Sequence, residues 1–190
     1  MKNLCTLLIV FCASAALATD VRPTLPPVEF LDTEVVTNVA ISASARSGRE
    51  FAFELEFTGS ESNNVEIAFG TDADGDGALS ADETSLSAGW DCGEWFVLNE
   101  ATGERFSEAS AGGAHELAGC VRLRTDGRMR VASFYDGATA LFPSLAAKVN
   151  AWAFPVEWNM VRLVGRGETV RAGESFHVTA TAAGFAIRRQ

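Results

Sequence analysis

Apolar and polar residues alternate along much of this chain. Phe51, Phe53, Leu55 and Phe57 take turns with Glu50, Ala52, Glu54 and Glu56. Val65, Ile67 and Phe69 do the same with Asn64, Glu66 and Ala68, and Leu86, Ala88 and Trp90 keep the spacing. Successive side chains of a β-strand point to opposite faces, so a period of two predicts strands with one face buried and one in water. Trp95 to Leu98, Asn159 to Val164 and Ser175 to Ala182 read as further strands. Stretches rich in Gly, Asn and Asp, such as Asn99 to Gly103 and Ala111 to Gly113, separate them. Helical spacing is scarce. Ser144 to Ala151, directly after Pro143, is the best candidate for a short helix.

Many short strands divided by turns predict an all-β chain folded as an antiparallel β-sandwich of the jelly-roll or immunoglobulin-like kind. Pro23, Pro26 and Pro27 make residues 19–33 an extended lead-in, which leaves residues 34–190 as a single sandwich domain. The turn at Thr125-Asp126-Gly127 can be read to its register. With Gly127 left-handed, a three-residue loop sets Arg124 opposite Arg128, Leu123 opposite Met129, Arg122 opposite Arg130 and Val121 opposite Val131. One face is then wholly apolar and the other carries four arginines, whereas a two-residue loop would mix the faces. Like charges set opposite one another cost stability. An acidic neighbour is therefore expected, either the glutamates of the 50–56 strand or an anionic ligand.

Composition adds a compartment. The chain has 190 residues, 47% of them hydrophobic, and a formal charge of -10. A domain of this size buries roughly 70% of its unfolded surface, and the composition excludes disorder, collagen and coiled coil. The acidic balance argues against nucleic acid as a partner. Lys2, the apolar run Leu4 to Phe11 and the small residues of Ala16-Leu17-Ala18 form the pattern of a cleaved export signal, residues 1–18. The run is too short to span a bilayer and no later stretch is longer. A secreted or periplasmic chain without an integral membrane segment is expected. Cys12 follows Phe11 rather than a small residue, which speaks against a lipid anchor. Cys92 and Cys120 remain after cleavage, and an even pair in an exported chain predicts a disulfide. It would close a loop of about 29 residues, worth roughly 3.6 kcal/mol in the chain-entropy model. A zinc site of Cys92, Cys120, His115 and His177 lacks the close ligand spacing that such sites use.

The densest chemistry lies in Asp72-Ala-Asp74-Gly-Asp76-Gly77-Ala78-Leu79-Ser80-Ala-Asp82-Glu83. A hard cation needs six to eight oxygens in a small volume, and alternate side chains of a tightly curled loop can supply them. The segment resembles an EF-hand loop over all twelve positions of that motif. The resemblance implies bound calcium, with Asp72, Asp74, Asp76, Ala78 through its carbonyl, Ser80 and Glu83 as ligands. It also implies that Gly77 permits the sharp bend and that Leu79 tucks into the protein. Ser80-Ala-Asp82-Glu83 is in addition a capping box, so Glu83 has two claims on one carboxylate. The flanks depart from the family. EF-hands and dockerins place helices around such loops, and dockerins carry a second copy, whereas here the incoming segment alternates like a strand. The resemblance therefore carries over the metal and neither the fold nor the partner.

No metalloprotease, nucleophile-elbow, phosphate-loop or dinucleotide motif is present. Glu94, Glu100 and Glu104 would serve a glycosidase only if two of them face each other at the right separation. Trp90 and Trp95 flank Cys92 and read as core, while Trp152 and Trp158 are candidates for a sugar-binding platform. The expectation is an exported, non-catalytic, calcium-binding β-sandwich protein, a surface or periplasmic binding or structural module. The alternatives are a carbohydrate-binding module using Trp152, Trp158 or the face of Arg122, Arg124, Arg128 and Arg130, and a secreted hydrolase. Candidate partners are a polysaccharide or another surface protein.

Overall fold

Alternation of the kind just described becomes strands because each half-buried ribbon must cover its apolar face with another. The computed structural model describes residues 19–21, 34–41, 50–154, 157–166, 176–181 and 184–189. The expected signal peptide and most of the lead-in lie outside them. The strands are β1 (Thr19–Val21), β2 (Glu34–Ala40), β3 (Glu50–Gly59), β4 (Asn64–Gly70), β5 (Thr84–Asp91), β6 (Glu94–Asn99) and β7 (Glu104–Ala109). They continue with β8 (Gly113–Leu123), β9 (Met129–Asp136), β10 (Thr139–Leu141), β11 (Met160–Arg166), β12 (Phe176–Thr181) and β13 (Gly184–Arg189).

Two sheets result. One has seven strands in the order β1-β12-β13-β3-β8-β9-β10, the other six in the order β2-β11-β4-β5-β6-β7. β13 lies parallel to β3, and the other pairings are antiparallel. The inward residues of both sheets form one buried cluster, with Phe51, Phe53, Leu55 and Phe57 of β3 set against Ile67 and Phe69 of β4 and Leu86, Ala88 and Trp90 of β5. Burial of such area, about 25 cal/mol per Å², is the main favourable term holding the two layers together. Trp90 and Trp95 meet edge to face at 5.3 Å, and Trp158 stacks on Phe69 at 5.3 Å. No helix among the described residues is long and apolar enough to cross a membrane.

Three expectations are corrected. Cys92 and Cys120 form no disulfide. Cys92 occupies the turn between β5 and β6, while Cys120 stands in mid-β8 between buried Gly119 and Val121, on the outward face of the other sheet. Packed sheets lie about 10 Å apart, and a disulfide needs Cβ atoms about 4 Å apart. The segment after Pro143 is two short 3₁₀ turns, Pro143–Ala147 and Val149–Ala151, rather than an α-helix. Its N-cap, Phe142, makes no side-chain capping bond, and so short a segment cannot offset the cost of helix nucleation. Leu145 and Val149 are nonetheless buried. The β8–β9 turn forms with Gly127 at φ 81° and Leu123 paired to Met129, as read from the sequence, but a bulge then pairs Arg122 with Val131. Arg130 is the extra residue. The inward parity shifts from Met129 to Phe134, both almost wholly buried, and the bulge is what reconciles the two.

Candidate metal centre

The acidic loop runs from Thr71 to Glu83 between β4 and β5, so two strands flank it. Its ends are closed by Thr71 N–H donating to the Glu83 carbonyl at 3.1 Å. Asn159 grips the first aspartate from both sides: its Oδ1 accepts from Asp72 N–H at 2.8 Å and its Nδ2 donates to the Asp72 carbonyl at 3.1 Å. Gly75 and Gly77 have φ of 77° and 84°, a left-handed conformation that costs other residues a Cβ clash. These bends aim the loop's amides at its own carboxylates. Asp72 accepts from Gly75 N–H at 2.7 Å and Gly77 N–H at 3.1 Å. Asp74 accepts from Asp76 N–H at 3.1 Å and Asp76 from Ala78 N–H at 2.8 Å.

The outcome is convergence. Carboxylate oxygens of Asp72, Asp74 and Asp76 all lie within 4.8 Å of one another, a set that can hold a metal ion. Asp72 is half-buried and the other two are exposed. Glu83 stands outside this set. Its Oε1 accepts from Ala73 N–H at 2.7 Å, and its Oε2 accepts from Ser80 N–H at 3.0 Å and the Ser80 hydroxyl at 2.6 Å. These bonds, the Ser80 hydroxyl foremost and the Ala73 amide next, hold its carboxyl at about 2 by favouring the charged form. Of its two claims, the capping box is the one formed here. Ser80 is committed to the same box, with Asp82 Oδ1 a second acceptor at 2.8 Å. The Ala78 N–H serves Asp76.

Leu79 anchors the loop to the molecule. It is 2% exposed and packs with Ala68 and Met160 on the outer side of the six-stranded sheet. Its amide donates to Asn38 Oδ1 at 3.1 Å, and its carbonyl accepts from Arg162 Nη1 at 2.7 Å. Arg162 also pairs with Glu66 at 2.9 Å, both largely buried. Asn38, Asn159 and Arg162 were not among the candidate site residues read from the sequence, where Asn159 and Arg162 figured only in a predicted strand. The one local signal was an arginine inside the apolar run Met160 to Val164.

The other candidate residues lie elsewhere. Trp152 and Trp158 are 2% and 1% exposed, so they belong to the core and offer no platform to a sugar. The Trp152 ring N–H donates to Glu104 at 2.7 Å. Glu100 accepts from the Ser87 hydroxyl at 2.6 Å, and Glu94 lies 3.9 Å from Arg105. Each of the three glutamates weighed for glycoside cleavage thus supports its own neighbourhood. Arg124, Arg128 and Arg130 are exposed and Arg122 is half-buried. Compared with protein families, characterised proteins and solved structures, the chain matches none.

Proposed function

We propose that this chain is an exported, non-catalytic, calcium-binding β-sandwich protein acting as a surface or periplasmic binding or structural module. One observation carries the reading: the aspartates at the first, third and fifth positions of the loop converge to within 4.8 Å. The donors are all oxygen, which suits a hard cation rather than zinc or copper. A flexible loop with several carboxylates suits calcium better than magnesium, which demands near-ideal octahedral geometry. In the loaded state the Asp72, Asp74 and Asp76 carboxylates and the Ala78 carbonyl would hold the ion. Glu83 would join only by exchanging its bonds to Ala73 and Ser80. With Leu79 wedged against the sheet, the ion's role is to clamp β4 to β5 and so stabilise the fold. The segment Lys2 to Ala18 supports export.

Calorimetric titration of chelator-stripped protein with calcium and then magnesium tests the metal. Saturable calcium binding at about 10⁻⁴ to 10⁻³ M, as extracellular sites show, with weaker magnesium binding is the expected result. Absence of calcium binding, or binding unchanged in Asp72→Ala, would remove the site. Mass spectrometry of protein recovered outside the cytoplasm tests export, with a mature chain beginning at Thr19 expected.

A further inference from the structure

On the outer face of the six-stranded sheet, β11 lies between β2 and β4. The register sets Arg162 beside Asn38, Val164 between Val36 and Glu66, and Arg166 beside Asn64. These residues line a groove of about 370 Å³, closed at one end by Ala78 and Leu79 of the acidic loop. Strands about 4.8 Å apart and a rise of about 3.3 Å per residue give it a floor of roughly 10 Å by 13 Å. The end wall is fixed to that floor, because Asn38 Oδ1 and Arg162 Nη1 hold the main chain of Leu79. Glu66 and Arg162 pair at 2.9 Å with only 20% and 19% of their side chains exposed, so each neutralises the other. Arg166 is engaged with a partner of its own. Further polar capacity is unspent. Glu66 uses Oε1 on Arg162 and Asn38 uses Oδ1 on Leu79, which leaves Glu66 Oε2 and Asn38 Nδ2 to spare. Among the described residues the Asn64 side-chain amide makes no hydrogen bond either. Val36 is 45% exposed and lies beside half-buried Val164.

We propose that this groove binds a neutral saccharide, a role that rests on reading the chain as a binding module. The C–H face of a sugar ring lies over Val36 and Val164, and its hydroxyls bond to Asn38, Asn64 and Glu66. A hydroxyl both donates and accepts, so one kind of group satisfies the amide donors and the carboxylate acceptor together. Sites for small ligands occupy roughly 300–1,000 Å³ and set a few placed polar groups in an apolar lining, and this groove has both. A free ion would have to break the Glu66–Arg162 pair and leave one largely buried charge without its partner, which is costly. An added peptide strand is disfavoured because such pairing uses main-chain groups at a sheet edge. The main chains of β11 and β4, under the groove, are already paired on both sides.

A glycan array of neutral and acidic oligosaccharides, followed by calorimetry with the best neutral one, tests the proposal on the calcium-loaded protein. Binding of a neutral oligosaccharide with little dependence on salt is expected. Val36→Arg lays a long charged side chain across the floor and should weaken it at least tenfold. Asn64→Ala should weaken it several-fold. Tyr135→Ala, in β9 of the other sheet, should leave it unchanged. Val36 and Tyr135 are exposed, and unchanged melting temperatures verify folding. Absence of neutral-glycan binding, a preference for acidic glycans, or binding indifferent to both groove variants would overturn it. So would groove-dependent binding of displayed random peptides in place of glycans. Calcium titration of the same samples separates this failure from failure of the metal site.

Discussion

Asp76→Ala separates ligation from packing. In calcium it should lower the melting temperature, and in chelator it should leave it nearly unchanged. With about 1 mM calcium and a dissociation constant near 10⁻⁴ M, ligand linkage adds roughly 1.4 kcal/mol to the folded state. At 2–4 °C per kcal/mol for a domain of this size, that corresponds to about 3–6 °C. Two smaller effects act in chelator. Asp76 accepts one exposed bond from Ala78 N–H at 2.8 Å, worth roughly 0.5 kcal/mol. It also sits within 4.8 Å of two like charges, each repelling it by about 0.9 kcal/mol at the dielectric of water. The unfolded chain keeps the three aspartates close in sequence, so only part of that repulsion is relieved, and the two effects nearly cancel. Differential scanning fluorimetry of wild type and variant, each with calcium and with EGTA, reads the difference directly. An equal loss in both conditions would mean that Asp76 acts through loop structure alone and that no ion is held.

Leu79→Ala should cost about 2–3 kcal/mol by chemical denaturation, with or without calcium, because it empties the contact with Ala68 and Met160. A cost seen only in calcium would refute the anchoring role. Glu83 sits at about 2 in the folded chain against an ordinary 4.5, so the unfolded state takes up its proton first as pH falls. In EGTA its contribution should be complete above about pH 5 and disappear progressively down to about pH 2, and Glu83→Gln should flatten that part of the urea-midpoint profile. A reducing agent should leave the melting temperature unchanged, since Cys92 and Cys120 are not bridged. A disulfide there would reveal itself as a loss of roughly 3.6 kcal/mol on reduction.

Much of the architecture was legible in the order of residues. The β3 segment is read correctly because Phe51, Phe53, Leu55 and Phe57 all lie in the core, and the period of two records that shared face. The loop was legible because all its donors lie within one short stretch, and Gly77 marks the bend without reference to anything distant. The 3₁₀ turns after Pro143 were missed because Leu145 and Val149 keep helical spacing while only single turns form.

What sequence alone determined, then, was local: the strand periodicity, the left-handed Gly127 turn and the acidic loop's own curl. Tertiary structure decided which side chains meet across long separations. Asn159 reaches Asp72 from 87 residues away, and Arg162 reaches Leu79 from 83. It also decided that Trp152 and Trp158 lie inside, that Cys92 sits in a turn of one sheet and Cys120 in a strand of the other, and that Arg130 is bulged out. The physical reason is that hydrophobic burial is non-directional. It specifies that an apolar face will be covered, while strand order and register specify by what.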